Sequence, residues 1–104
     1  AYATRVDFLV EIEVTRPPGV TDDQIKQLVA AEASQAAALA KEGYIVRLWR
    51  PLPATAAWRN IGLWRGETGQ AGLNAINSLP LHAWMAVKIR PLGTHPNDPG
   101  VVSG

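Results

Sequence analysis

Residues 8–43 read FLVEIEVTRPPGVTDDQIKQLVAAEASQAAALAKEG, and this stretch decides the fold because it sets a strand directly before a long helix. In its first seven residues apolar side chains alternate with mostly charged ones, the pattern of a strand buried on one face. The apolar members of that face are Phe8, Val10, Ile12 and Val14. Arg16-Pro-Pro-Gly19 then ends the predicted strand, since proline cannot donate to a sheet ladder.

The second part of the stretch predicts an amphipathic helix from Thr21 to Glu42. Thr21 and Gln24 have the spacing of a capping box, and Gly43 is the expected stop. Apolar side chains recur at the helical period and form one stripe: Ile25, Leu28, Val29, Ala36, Leu39 and Ala40. Glu32 falls near the centre of this stripe.

A carboxylate at that place is the strongest candidate for chemistry in the chain. Burial of an unpaired charge is costly, so Glu32 must be paired, protonated or held in a polar pocket. Catalytic bases are made by such desolvation together with a chosen partner. The alternatives are a structural ion pair with Arg47 or Arg50, or a carboxylate that reaches a subunit contact.

The rest of the chain predicts three more strands, a shorter helix and an extended arm over residues 91–104. The strands are Tyr44–Arg50, Ala56–Trp64 and Trp84–Arg90, the first two forming a hairpin, and the helix is Gln70–Ser78. The order strand, helix, strand, strand, helix, strand is the ferredoxin-like βαββαβ plan, an α+β fold. We expect one domain over residues 1–104.

Two helices cover only one face of a four-stranded sheet. The first and fourth strands, which we expect at its centre, give the other face Leu9, Glu11, Glu13, Lys88 and Arg90. Opposite charges there can pair across strands. This face is either solvated or covered by a second subunit, and we expect the subunit because Leu9 and some tryptophans would otherwise be wet.

The composition removes several classes of function. With 104 residues and a net charge of +1, the chain offers no electrostatic case for nucleic acid or an anionic membrane. It has no cysteine, hence neither thiol nucleophiles nor thiolate metal sites. No apolar run approaches the roughly 20 residues of a membrane span, and residues 1–7 lack a signal-peptide layout. We expect a soluble cytoplasmic protein.

Several further polar residues are candidates for a ligand site. Only one of Arg47 and Arg50 can face Glu32, because strand alternation puts them on opposite faces. An arginine fork suits a carboxylate ligand. The alternative is that both are edge-strand charges that prevent pairing with another sheet. Asn60 needs hydrogen-bond partners that a ligand can supply. His82 and His95 lack a spaced acidic partner, so neither a metal nor a cofactor is expected.

Several strings, taken in order, resemble the muconolactone delta-isomerase family. They are Glu42-Gly43 followed by Arg47-Leu-Trp-Arg50, then Ser78-Leu-Pro-Leu81 with Trp84-Met85, and finally Pro91-Leu-Gly-Thr-His95-Pro96. The resemblance covers residues 8–99. It implies a ferredoxin-like subunit in a dimeric α+β barrel, often in rings such as decamers. It also implies a cofactor-free isomerase of the β-ketoadipate pathway that moves a double bond in a small anionic lactone, giving 3-oxoadipate enol-lactone.

The resemblance also implies roles for particular residues. Glu32, Arg50 and His95 match the family, so we expect Glu32 to be the base, Arg50 to bind the substrate carboxylate, and His95 to donate from a neighbouring subunit. The expected substrate wall is completed by Arg47, Trp49, Trp58 and Asn60.

The chain departs from the family at several positions. Proteobacterial members carry histidine and lysine where this chain has Leu9 and Glu11, and histidine where it has Arg47. The alternatives are therefore a chloromuconolactone dehalogenase, another small-molecule enzyme of this fold such as a cofactor-independent oxygenase, or a non-catalytic ligand-binding or assembly module.

Overall fold

A computed structural model describes residues 5–100 and has the predicted order of elements. The strands are β1 (Val6–Val14), β2 (Ile45–Trp49), β3 (Trp58–Gly66) and β4 (Met85–Leu92), and the helices are α1 (Asp22–Lys41) and α2 (Gly69–Asn77). The strands form one antiparallel sheet in the order β2-β3-β1-β4. The predicted ferredoxin-like α+β fold is therefore confirmed.

Both helices begin at a side-chain cap. At α1, the Gln24 N–H donates to Thr21 Oγ1 at 3.2 Å and the Thr21 N–H donates to Gln24 Oε1 at 2.9 Å, which confirms the predicted capping box. Gly43 follows α1 with φ of +91°, a conformation that favours glycine at a helix end. Thr68 caps α2 by accepting from the Ala71 N–H at 3.1 Å, a cap that we did not predict.

The hydrophobic core lies between the sheet and the two helices. It contains the four predicted side chains of β1 together with residues of both helices and β3: Phe8, Val10, Ile12, Val14, Leu39, Trp64 and Ile76. The predicted apolar stripe of α1 is narrower than expected, because Val29 is 42% exposed and Ala40 is exposed. Glu32 lies within the part of α1 that is at least half-buried, one turn before Ala36.

The strand order corrects one prediction. We expected the first and fourth strands at the centre, but β3 joins β1 there and β4 lies at an edge. The β2–β3 hairpin places β3 beside β1, which leaves β4 only the far side of β1. The register still sets Glu11 opposite Lys88. The cross-strand ion pair that forms on this face joins Glu13 to Arg59 of β3 at 3.4 Å.

Local hydrogen bonds explain why two strands begin later than predicted. The Ala57 N–H donates to Thr55 Oγ1 at 3.2 Å, so it is used in a turn and β3 begins at Trp58. The Trp84 N–H donates to the Leu81 carbonyl at 2.9 Å in a short 3₁₀ turn, which delays β4 to Met85. After β4, residues 93–100 are exposed, and the last four residues of the predicted arm lie outside the described residues.

Gly62 is required by close packing at the centre of the sheet. A Cβ atom there would lie 2.6 Å from Trp64 Nε1 and 2.9 Å from Leu48 Cδ2. We expect Gly62→Ala to lower the free energy of unfolding by about 1–3 kcal/mol, as overpacking does in a tight core. Urea unfolding followed by tryptophan fluorescence measures it. Gly93→Ala is the matched control, since nothing lies within 4 Å of its added carbon, and equal stability of both variants would contradict the prediction.

Candidate active site

Glu32 is held at the junction between α1 and the connection that leads to β4. Its Oε1 accepts a hydrogen bond from the backbone N–H of Leu81 at 3.0 Å, and Leu81 itself is only 2% exposed. Among residues 5–100 Glu32 forms no ion pair, so the alternative of a structural pair with Arg47 or Arg50 is not observed. Sequence reasoning missed Leu81 because a backbone donor has no signature in the side chains.

The surroundings of Glu32 favour the neutral acid. Burial raises the pKa of the Glu32 carboxyl above its ordinary value of 4.5, and the hydrogen bond from the Leu81 N–H opposes the rise without cancelling it. Within the described part of the chain Oε2 makes no hydrogen bond, so one oxygen is fixed and the other is free to exchange a proton. A carboxylate with a raised pKa is a stronger base than an exposed one.

Two further expected residues, Trp58 and Asn60, lie on β3 and face the same side of the sheet as the helices. The register pairs Asn60 with the buried Ile12, and Trp58 packs against the core. Asn60 Oδ1 is buried and has no hydrogen-bond partner among the described residues. Because a buried amide oxygen is normally satisfied, this atom is a candidate ligand contact.

The remaining expected residues lie elsewhere in the chain. Arg47 and Trp49 are exposed on the outer face of the sheet, opposite Leu63 and Ile61, and the Arg47 guanidinium lies 5.2 Å from the Trp49 ring centroid. The pairing with Trp49 is a cation–π contact.

Arg50 and His95 lie outside the sheet. Arg50 is exposed one residue after β2, and His95 sits in a turn of the exposed arm, where its Nδ1 accepts from the Asn97 N–H at 2.9 Å. One chain therefore groups Glu32, Trp58 and Asn60 on the helix side of the sheet and leaves the other expected residues apart.

Two open cavities border these groups. One, of about 520 Å³, lies on the outer face of the sheet, where its charged lining is Glu11, Glu13, Arg59 and Lys88, and it touches Asn60 from that face. The other, about 490 Å³, lies between α1 and the turn before β4 and includes Leu28, Ala31 and Trp84. Glu32 lines neither cavity, but it is the next residue after Ala31 and lies one turn beyond Leu28.

Among residues 5–100 no group of three His, Asp or Glu side chains is arranged to hold a metal ion. In the same part of the chain no helix has the length and apolar character needed to cross a membrane.

Comparison with known proteins identifies similar chains. The family model described as muconolactone delta-isomerase matches residues 6–98. The Muconolactone Delta-isomerase of Acinetobacter baylyi is 26% identical over 91 residues, covering 88% of this chain and 92% of that protein. A crystal structure of muconolactone isomerase superposes with a TM-score of 0.78 at 27% identity, covering 89% of this chain and 94% of its own.

A more distant structure shares the fold alone. It is SnoaB, a cofactor-independent oxygenase from Streptomyces nogalater, with a TM-score of 0.51 and 19% identity over 91% of this chain and 97% of its own.

The raised pKa of Glu32 predicts how stability depends on pH. Below about pH 4.5 the Glu32 carboxyl is protonated in both the folded and the unfolded protein. As pH rises further, Glu32 ionises first in the unfolded chain, so the folded state loses stability until the pKa of Glu32 in the folded state is passed. Glu32→Gln removes this term, and its amide oxygen can still accept from the Leu81 N–H. We therefore expect the wild type to lose stability relative to Glu32→Gln as pH rises above about 4.5, until the raised pKa of the folded state is passed.

Urea unfolding at a series of pH values measures this difference. The exposed Glu67 supplies the control, since the Glu67→Gln curve should run parallel to that of the wild type. Parallel curves for Glu32→Gln and the wild type would show that burial does not raise the pKa of Glu32.

Proposed function

We propose a function for this chain from its family, since it belongs to the muconolactone delta-isomerase family. In this proposal it is a cofactor-independent isomerase that moves a double bond in a small anionic lactone. The reaction is of the type that converts muconolactone to 3-oxoadipate enol-lactone. The observation that carries this proposal is the half-buried Glu32 carboxylate, whose pKa is raised and whose Oε1 is fixed by the Leu81 N–H. The same proposal places the protein in cytoplasmic aromatic catabolism.

The proposed reaction is a proton shift that needs one base. Glu32 removes the proton on the γ-carbon of the unsaturated lactone, and the electron pair of that C–H bond delocalises into the ring as a dienolate. The resulting carboxylic acid returns the proton to the α-carbon, which leaves the double bond one position along and regenerates the carboxylate. The raised pKa of Glu32 supports both halves of the cycle, because it strengthens the base and keeps the acid protonated until transfer.

Side chains around Glu32 bind the substrate in this proposal. Arg50 holds the substrate carboxylate through its planar fork, and it forms no ion pair within residues 5–100 that would compete. Arg50 is the next residue after β2, and Leu48, two residues earlier, contacts the Gly62 position on the helix side, which supports an Arg50 side chain turned to that side. Trp58 excludes water and Asn60 orients the ring.

The outer face of the sheet is assigned to assembly. Leu9, Ile61 and Leu63 lie side by side there and are only half-buried in the single chain. A second copy on this face forms the dimeric α+β barrel, alone or within a ring such as a decamer, and covers Arg47 and Trp49. The exposed arm then carries His95 to the substrate site of a neighbouring subunit.

Glu32→Gln tests the base directly. Gln keeps the shape and the acceptor for the Leu81 N–H but cannot take a proton, so we expect turnover of muconolactone to fall by about 10²- to 10⁴-fold. The loss of substrate absorbance in the ultraviolet measures the rate, and Glu67→Gln is the control that should keep wild-type turnover. A Glu32→Gln enzyme as fast as the wild type would remove Glu32 from the reaction.

Arg50→Lys tests the anion site. Lysine keeps the charge but loses the two-pronged contact, so we expect KM for muconolactone to rise about tenfold, a loss typical of one charge-assisted hydrogen bond, with little change in kcat. Arg16→Lys, made beside the start of α1, is the control. An unchanged KM for Arg50→Lys would mean that another group binds the substrate carboxylate.

A further inference from the structure

Two buried polar atoms on the helix side of β3 have no hydrogen-bond partner among the described residues. They are Asn60 Oδ1 and Trp64 Nε1, and Trp64 as a whole is only 1% exposed. A buried N–H without an acceptor is costly, and native proteins rarely tolerate one. Apolar packing needs the bulk of the ring system but not its N–H group, so packing alone does not explain a buried donor at this position.

The indole nitrogen of Trp64 lies over Gly62, on the same face of β3 as Asn60. Asn60, Gly62 and Trp64 alternate onto the same face, and a Cβ on Gly62 would lie 2.6 Å from Trp64 Nε1. The nitrogen therefore stands over Gly62, next to Asn60 in the row. Alternate Cα atoms of a strand are about 6.6 Å apart, and two hydrogen bonds of about 2.9 Å each span nearly that distance. A single oxygen atom placed between the two side chains can thus reach both.

A ligand has a route to this row from the β2 edge of the sheet, because Leu48, which contacts the Gly62 position on the helix side, is 49% exposed and Asn60 is only part-buried. Glu32 and the row lie on the same side of the sheet, since both face the layer between the helices and β1. The Asn60 amide can also turn by half a rotation and present its N–H₂ group, which makes the pair two donors instead of a donor and an acceptor. Two convergent donors suit an oxygen that gains negative charge.

We propose, resting on the isomerase function above, that Trp64 is a substrate-binding residue whose indole N–H donates to the lactone carbonyl oxygen. That oxygen carries most of the charge of the dienolate, so the hydrogen bond strengthens as Glu32 removes the proton. Asn60 supplies the second donor. The pair restricts the enzyme to substrates with a carbonyl oxygen conjugated to the acidic carbon.

Trp64→Phe removes the N–H and keeps an aromatic ring in the core. Because the contact strengthens in the dienolate, we expect kcat on muconolactone to fall about 100-fold, as for the loss of one oxyanion donor, with KM changed less than about threefold. Tyr44→Phe, which removes a polar hydrogen from another aromatic packed on the core, is the matched control and should retain wild-type kcat. Thermal unfolding of both variants checks that they are folded. A wild-type kcat in folded Trp64→Phe overturns the proposal, because the indole is then a core residue whose N–H donates to a bridging water.

A second measurement does not depend on turnover. The indole N–H resonances of ¹⁵N-labelled wild-type protein are followed while the saturated analogue of muconolactone, which lacks the ring double bond and cannot isomerise, is added. We expect the Trp64 resonance to move on binding. The Trp64 signal is assigned as the indole signal that is missing from the spectrum of Trp64→Phe. If that variant does not fold, the other three indole signals are assigned from Phe variants of Trp49, Trp58 and Trp84, and the remaining signal belongs to Trp64.

The two measurements separate the two proposals. The role of Trp64 is overturned if its resonance stays in place when the protein is saturated with the analogue. It is also overturned if no indole resonance responds to the analogue at millimolar concentration. If the wild type does not isomerise muconolactone but the Trp64 resonance moves, the isomerase function fails while the carbonyl-binding role of Trp64 is supported.

Discussion

The hydrogen bond from the Leu81 N–H to Glu32 is the interaction on which the candidate site depends. It joins α1 to the segment between α2 and β4 at a place where Leu81 is almost fully buried. A hydrogen bond to a charged acceptor stabilises a fold by about 1.5–3 kcal/mol, less what the charge loses on desolvation. The raised pKa of Glu32 shows that desolvation outweighs the hydrogen bond here. The contact therefore positions the carboxylate more than it stabilises the protein, which is the arrangement that a base requires.

The second constraint is that a four-stranded sheet with two helices has one covered face and one open face. Register places Leu9 and Leu63 together on the open face, next to the Glu13–Arg59 ion pair and to Glu11 and Lys88, which lie opposite each other. Half-buried leucines amid charges suit a surface that another copy covers, since water would otherwise contact them. The single chain thus carries Glu32 on one side of the sheet and the face proposed for assembly on the other.

Features that depend on neighbouring residues in the chain were predicted from sequence. The alternation in β1 and the capping box at Thr21 are set by side chains a few residues apart, and both are confirmed. The position of β4 at the sheet edge was predicted wrongly, because it depends on how the β2–β3 hairpin inserts. The Leu81 donor and the buried Trp64 indole, which has no hydrogen-bond partner within residues 5–100, were not predicted, since each exists only after distant segments pack. Sequence periodicity identified Glu32 itself, whereas the groups around it required coordinates.

The departures from the family pattern take on a physical meaning once the faces of the sheet are known. Leu9, Glu11 and Arg47, which replace family residues, all lie on the outer face by register with β3. Glu32 and Asn60 lie on the helix side, where the proton transfer is proposed. These three changes therefore lie on the surface proposed for a second copy, where a charged contact can be exchanged for an apolar one without moving Glu32. Changes on this face leave the hydrogen bond from the Leu81 N–H to Glu32 intact, so they do not bear on the proposed base.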